Sequence, residues 1–205
     1  VQKETGMLTG SILDVGCGTG AFLATIQQSG WQTCGVERDD VARQNAKQLH
    51  QVVALPAEDL FTINQQFDAI SLWHVLEHVH DLQNYIEQLK KLLKPKGVLF
   101  IAVPNPKSAD AKTYKEYWAA YDVPRHLYHF TAKSMRILME SHGLQAEKVY
   151  PMWFDSFYVS MLSEKYKRHS IAAIRGAVAG LFSNLNALAN KENCSSLIYI
   201  CRKKG

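Results

Sequence analysis

The chain has 205 residues, 47% of them hydrophobic and 20% charged, with a net charge of +4. This is the balance of one soluble globular domain with room for a buried core, and it excludes a disordered or fibrous chain. No lysine or arginine run marks a nucleic-acid surface and no uninterrupted apolar stretch of roughly twenty residues marks a membrane span, so neither partner is expected through those routes.

Cys17, Cys34, Cys194 and Cys201 have no metal or redox spacing and fall in or beside predicted strands, where they read as small core residues suited to a reducing cytoplasm. The first strand is Ile12 to Val15. Its apolar run ends in Gly16, Gly18 and Gly20 and passes at once into AFLATIQQ, so ILDVGCGTG reads as a buried strand, a tight turn and a helix start. Glycines at alternate positions let the backbone take positive φ and leave no Cβ in the way, so a flat ligand can lie against the turn with main-chain N–H groups facing it. The helix runs from Gly20 to Ser29, and Gly30 closes it. A second strand, Thr33 to Val36, ends in Glu37, about twenty residues beyond the glycines, where a βαβ unit brings a carboxylate within reach of two ribose hydroxyls. Asp14, two residues before Gly16, would repel a pyrophosphate and suits a cationic ligand.

Taken together these residues resemble the class I S-adenosylmethionine-dependent methyltransferases, whose D/E-x-G-x-G-x-G turn holds the methionine end of the cofactor and whose acid after the second strand holds the ribose. The likeness runs from about Ser11 to Pro104. It implies an α/β, Rossmann-like, doubly wound seven-stranded sheet with an antiparallel last strand and helical insertions after strands 5 and 6. It also implies S-adenosylmethionine as cofactor, with S-adenosylhomocysteine as product. Asp14, Gly16, Cys17, Gly18, Gly20, Glu37 and Arg38 are then the cofactor residues of the first βαβ unit. Because the fold usually carries helices before this strand, an upstream segment is expected.

Asp39 or Asp40 caps a helix from Val41 to Leu49 with Ala42, Ala46 and Leu49 inward, and Gln51 to Leu55 is a short third strand. PAEDLF resembles the methyltransferase segment along the adenine. Pro56 stands where many relatives have Asp, which leaves the contact to the Ala57 main chain and Glu58. Phe67 to Leu72 is the fourth strand. The following WHVLEHVHDL resembles the x-E-x-x-E-H-V segment of methyltransferases related to the ubiquinone-biosynthesis O-methyltransferases, with His74 where those relatives have Glu. Trp73 and His74 leave the strand at its carboxyl edge, where open α/β sheets hold ligands, and join the cofactor set. A helical turn would place His74, Glu77 and His78 on one face, as a proton acceptor or a divalent metal site. The preferred alternative has no metal, with Glu77 and His78 orienting the loop and capping the next helix. Asp81 N-caps an amphipathic helix with Leu82, Ile86, Leu89 and Leu93 inward; KPKG ends it, and Val98 to Val103 is the central fifth strand.

The pattern then breaks. Residues 105–130 hold Tyr114, Tyr117, Trp118, Tyr121 and Tyr128 with Asp122, Arg125, His126 and His129, and connections this long are often lids. Any single tyrosine there reads as packing, but the segment as a whole reads as substrate cover, with Tyr117, Tyr121 and Arg125 as substrate residues. Thr131 caps a helix from Ala132 to His142, closed by Gly143, and Leu144 to Met152 is the sixth strand. A helical insertion covers 153–192. In it Ile171, Ile174, Val178, Leu181, Leu185 and Leu188 step by three and four along one continuous apolar face, with Lys165, Lys167, Arg168 and His169 before it. That face reads as packed core, and peripheral contact with anionic lipid is the alternative. Ser195 to Arg202 is the seventh strand, and the whole of 1–205 forms one domain.

The reaction implied is methyl transfer to a small-molecule acceptor, first of all O-methylation of a phenolic or quinone-like metabolite. His78, His126 and His129 are the candidate bases, histidine being the side chain that titrates near neutrality. A nicotinamide-dependent oxidoreductase and a non-catalytic nucleotide-binding domain are the rival readings. Oligomeric state is not legible.

Overall fold

The computed structural model describes residues 1–168 and 170–204, so His169 of the basic stretch lies outside the described residues. In chain order the elements are α1 (Gln2–Thr5), β1 (Ser11–Val15), α2 (Ala21–Gln28), β2 (Gln32–Val36), α3 (Asp40–His50), β3 (Ala54–Leu55), β4 (Phe67–Trp73), α4 (Leu82–Leu92) and β5 (Leu93–Pro104). These are followed by α5 (Ala109–Tyr114), α6 (Ala132–Ser141), β6 (Leu144–Pro151), α7 (Asp155–Tyr166), α8 (Ala172–Ala189) and β7 (Ser196–Lys203). One seven-stranded sheet has the order β3-β2-β1-β4-β5-β7-β6. Strands β1 to β5 pair in parallel, and β7 enters antiparallel to both β5 and β6, as the sequence implies.

Each residue of β1 is buried, and so are Val98 to Pro104 of β5, because helices cover both faces of a parallel sheet. One apolar cluster, with Leu13, Ile70, Ile86, Leu99 and Met135, fills one face; a second, with Ile12, Leu23, Trp31, Ala69 and Phe100, fills the other. The caps fall where the sequence puts them. Asp39 Oδ1 accepts from the Ala42 N–H at 2.7 Å, Asp81 Oδ1 from the Asn84 N–H at 3.2 Å, and Thr131 forms a capping box with Ser134.

Four local expectations change. Leu49 is exposed rather than inward, and Ala46 is the residue of α3 that lies fully buried, at the close approach to Gly20. The third strand is two residues long. Helix α4 ends at Leu92 and strand β5 starts at Leu93, so KPKG belongs to the strand rather than to the helix end, and a register shift lies between Phe67 and Ala69 of the partner strand. The fourth is the largest. The supposed core face of α8 points outward: Ile171, Ile174, Val178, Leu181, Leu185 and Leu188 are all exposed, while Ala172, Gly176, Gly180, Ser183 and Ala187 are buried. The small residues allow α8 to lie directly on the α7 backbone, and this close approach selects the face.

The two insertions fold onto each other around a third core of Ala111, Tyr114, Trp118, Ala119, Ala120 and Val159. The aromatic stretch is not one helix: α5 stops at Tyr114, Lys115 takes φ 51, and single 3₁₀ turns follow. Buried Asp110 ties the unit to the sheet, accepting from Trp118 Nε1 at 2.7 Å, Ser183 Oγ at 2.8 Å and Ser195 Oγ at 2.7 Å.

Candidate active site

Strand order reverses at β1, which has β2 on one side and β4 on the other, and a crevice opens there at the carboxyl ends of the strands. It is a cleft of about 580 Å³, within the usual range for small-molecule sites, lined by Gly16, Glu37, Arg38, Ala57, Trp73 and His74 among others. The sequence names all six. It does not name Val75, Val79, Tyr85 and Leu127, which complete the apolar walls. Val75 and Val79 follow the end of β4, which is their only sequence signal; Tyr85 comes from within α4 and Leu127 from the distant first insertion.

Gly16, Gly18 and Gly20 all take positive φ, at 75°, 54° and 81°. At Gly16 the absence of a side chain is also demanded by space, since a Cβ there would lie 2.4 Å from Val75 Cγ2. The main-chain donors of the turn do not face the cleft as expected. The N–H groups of Gly16 and Cys17 donate to the Val36 carbonyl at 2.7 and 3.1 Å, and the Gly18 N–H donates to Glu37 Oε2 at 2.8 Å. Their task is to lock β1 to β2 and to aim Glu37, whose Oε1 accepts from the Asp39 N–H at 2.9 Å. Each carboxylate oxygen keeps a lone pair for a further donor.

Asp14, Cys17, Gly18, Gly20 and Glu58 are not among the residues lining the cleft. Gly20 packs against Ala46 and Val52, Cys17 is buried beside Gly35, and Glu58 is exposed on its 3₁₀ turn. Asp14 is buried below the turn with Ser71 Oγ donating to it at 2.6 Å. Loss of hydration drives its pKa up to about 7, against the Ser71 hydrogen bond and with help from the charge of Glu37.

A second cavity, of about 320 Å³, lies between the insertions and is walled by Ala119, Ala120, His126, Asp155, Tyr158 and Leu162 among others. His74 and Arg125 line both cavities. His74 ends β4 in the left-handed region, φ 57, with its N–H on the Ala102 carbonyl at 3.0 Å. Its Nδ1 meets Glu77 Oε1 at 3.2 Å. The carboxylate can only accept, so Nδ1 is the donor and Nε2 is left as the basic nitrogen. Nε2 has no hydrogen-bond partner among the described residues and lies 3.8 Å from Asp155 Oδ2, which accepts from Ser196 Oγ. Burial lowers the pKa of His74, but the Glu77 hydrogen bond and the charges of Asp155 and Glu77 outweigh it, and the net shift is upward.

The three histidines expected as bases are tied to main-chain carbonyls. His78 Nδ1 pairs with the Arg125 carbonyl at 3.0 Å, His126 Nδ1 with that of Ala120 at 2.8 Å, and His129 Nε2 with that of Tyr121 at 3.0 Å. They stitch the first insertion into place, together with the Leu127 N–H on the Glu77 carbonyl at 2.8 Å. His78 lines the cleft and His126 the second cavity, where burial holds the His126 pKa below its ordinary value; exposed His129 lines neither. Tyr117 and Tyr121 do not line the second cavity. Tyr117 lies under Lys167 Nζ at 5.7 Å, and Tyr121 packs on Trp118 at 5.0 Å between centroids. Arg125 reaches both spaces from an exposed position, paired with Asp122 at 2.7 Å. Of the suggested ligand group, Glu77 and His78 gather with His126, their donor atoms all within 4.8 Å, while His74 pairs with Glu77 but is not a member of that cluster. Leu76–His78 is a 3₁₀ turn, so a helical face does not form, and the third member arrives from the insertion.

A family model described as a methyltransferase domain matches residues 4–149. The ubiquinone biosynthesis O-methyltransferase of Actinobacillus pleuropneumoniae serotype 7 is 35% identical over 117 residues, 51% of this chain and 50% of the relative. That of Coxiella burnetii is 34% identical over 112 residues, 51% and 48%. The chain thus spans about half the length of the curated relatives it matches. Two solved structures share the fold. Phosphoethanolamine N-methyltransferase 2 of Haemonchus contortus, in complex with S-adenosylmethionine, aligns with a TM-score of 0.65 at 18% identity, over 100% of this chain and 51% of that one. Magnesium protoporphyrin IX methyltransferase of Synechocystis, with bound S-adenosylhomocysteine, aligns with a TM-score of 0.65 at 15% identity, over 100% and 78%. The nicotinamide alternative falls with these matches. The glycine turn, the acid after β2 and the family match over most of the domain lead to one conclusion: the chain belongs to the class I S-adenosylmethionine-dependent methyltransferases.

Proposed function

We propose that this chain methylates a hydroxyl of a small phenolic or quinone-like acceptor held in the second cavity, and that His74 takes the acceptor's proton. The observation that carries the reading is the placement of His74 on the wall of both cavities, with Nδ1 held by a buried carboxylate and Nε2 without a hydrogen bond among the described residues. The curated relatives, ubiquinone biosynthesis O-methyltransferases matched over about half their length, support the same class of acceptor.

The cleft fits the adenosyl cofactor. Gly16 leaves its floor bare, Glu37 presents a carboxylate to a ribose diol, and Val36, Val75, Val79 and Tyr85 offer apolar walls to a flat base. Trp73 Nε1 is buried there without a partner among the described residues, the kind of polar atom that a ligand satisfies. When bound, S-adenosylmethionine supplies a methyl group on a sulfonium. The protein's part is alignment, water exclusion and proton removal. Arg125 and Asp122 close the rim between the cavities, and the insertion core behind them holds that wall in place. His74 Nε2 accepts the hydroxyl proton, and Glu77 stabilises the imidazolium so formed. Because the pKa of His74 is raised, its basic form grows as pH rises through that value, and turnover climbs with it.

The test is transfer of labelled methyl to a panel of phenols, catechols and hydroxyquinones by the wild type and by His74→Asn. Asparagine is the substitute because it tolerates the left-handed backbone. Turnover in the variant should fall roughly 10²–10⁴-fold, with cofactor affinity by calorimetry changed only a few-fold. Undiminished turnover removes His74 as the base. Transfer only to amines or carbon acids refutes the oxygen acceptor, and no transfer to any acceptor would return the non-catalytic reading.

A further inference from the structure

Helix α8 is built with its large side chains outward. On the inner side, a Cβ at Gly176 would stand 2.5 Å from Met161 Cα and one at Gly180 2.8 Å from Phe157 Cα, so nothing larger than glycine fits against α7 there. On the outer side, Val178, Leu181, Phe182 and Leu185 are each more than half exposed, and Ile174 and Leu188 extend the same stripe toward either end. Isolated apolar side chains in water need no explanation, but a continuous stripe along an 18-residue helix marks a surface that something covers.

Charge identifies the kind of partner. Between Lys165 and Lys191 the sequence has five cations, Lys165, Lys167, Arg168, Arg175 and Lys191, and no aspartate or glutamate. Of these, Arg175 is answered by Glu164 at 3.1 Å. Lys167 Nζ lies over the rings of Tyr114 and Tyr117 at 5.1 and 5.7 Å, and Lys165 and Arg168 are exposed. Just ahead of the neighbouring helix, Phe154 is also exposed, an apolar ring of the kind that enters the headgroup–acyl boundary.

We infer that the outer face of α8 docks on an anionic lipid surface, its apolar stripe entering the headgroup–acyl boundary and Lys165 and Arg168 meeting headgroup phosphates. This is a surface contact and not a span: no helix among the described residues is long and apolar enough to cross a membrane. The inference rests on α8 and its flanks, and is independent of the acceptor proposed for the second cavity.

The test is flotation of the full chain with vesicles of phosphatidylcholine alone and of a phosphatidylcholine–phosphatidylglycerol mixture, at low and high salt, beside sedimentation velocity over a concentration series. The wild type should float with the anionic vesicles, less so at high salt. Leu181→Glu with Leu185→Glu should abolish flotation while cofactor titration remains that of the wild type. Lys165→Gln with Arg168→Gln should weaken binding about fivefold per cation removed. Failure of the wild type to float with anionic vesicles overturns the inference, whether or not it dimerises. So does binding to both vesicle types that ignores salt, or binding indifferent to the apolar pair. A dimer broken by the Leu181 and Leu185 changes, in a protein that ignores vesicles, assigns the face to a second copy instead.

Discussion

Gly16→Ala isolates what the glycine turn contributes, and Val75 makes the measurement decisive. The new Cβ would lie 2.4 Å from Val75 Cγ2, against about 3.5–4.0 Å for carbon atoms at rest. Val75 is β-branched and stiff at χ1, so the contact is not relieved by a simple rotation. The backbone at φ 75 adds about 1–2 kcal/mol for any residue with a Cβ. Overpacking adds about 1–3 kcal/mol. Gly16→Ala should therefore cost roughly 2–5 kcal/mol, a fall in Tm of roughly 4–20 °C for a chain of this size. In a Val75→Ala background the clash disappears and only the backbone cost stays, so the pair should couple by about 1–3 kcal/mol. Urea unfolding of the four proteins, followed by circular dichroism, gives that coupling directly. Additivity within about 0.5 kcal/mol would refute the claim that Val75 closes the floor of the cleft.

Three further outcomes follow from buried polar groups. Asp14, its pKa pushed up to about 7 by burial, binds a proton more tightly folded than unfolded, so it contributes stability that is full at low pH and lost as pH rises from about 4 through 7. Asp14→Asn removes that loss. The stability difference between variant and wild type should grow over this interval by up to about 4 kcal/mol in chemical denaturation, and a difference flat in pH would count against an isolated buried acid. Glu77→Gln keeps an acceptor for His74 Nδ1 but removes the charge that helps raise the pKa of His74, so the rising limb of the pH–rate profile should move toward lower pH; an unmoved limb would separate the pair from the chemistry. Asp110→Ala leaves Trp118, Ser183 and Ser195 without their shared acceptor and should cost about 3–5 kcal/mol of stability with cofactor affinity little changed. Loss of cofactor binding in the folded variant would show that the insertions shape the cleft more directly.

What could be read from the sequence was local. Ile12 to Gly20 announces a strand, a turn and a helix because apolar run, glycine spacing and helical periodicity are properties of neighbouring residues, and Glu37 follows from the fixed reach of a βαβ unit. The caps at Asp39, Asp81 and Thr131 are legible for the same reason. Tertiary structure decided what depends on distant partners. Periodicity shows that α8 has two faces, but not which of them faces inward. Close approach to the α7 backbone at Met161 and Phe157 reversed the expected choice, because glycine permits contacts that leucine forbids. The candidate base is a similar case. From sequence, His74, Glu77 and His78 are three polar residues on a supposed helical face. The fold instead gives His78 to a main-chain carbonyl and brings Asp155, from the second insertion, to within 3.8 Å of His74 Nε2. A residue's chemistry near a cleft is set by what the rest of the chain places beside it.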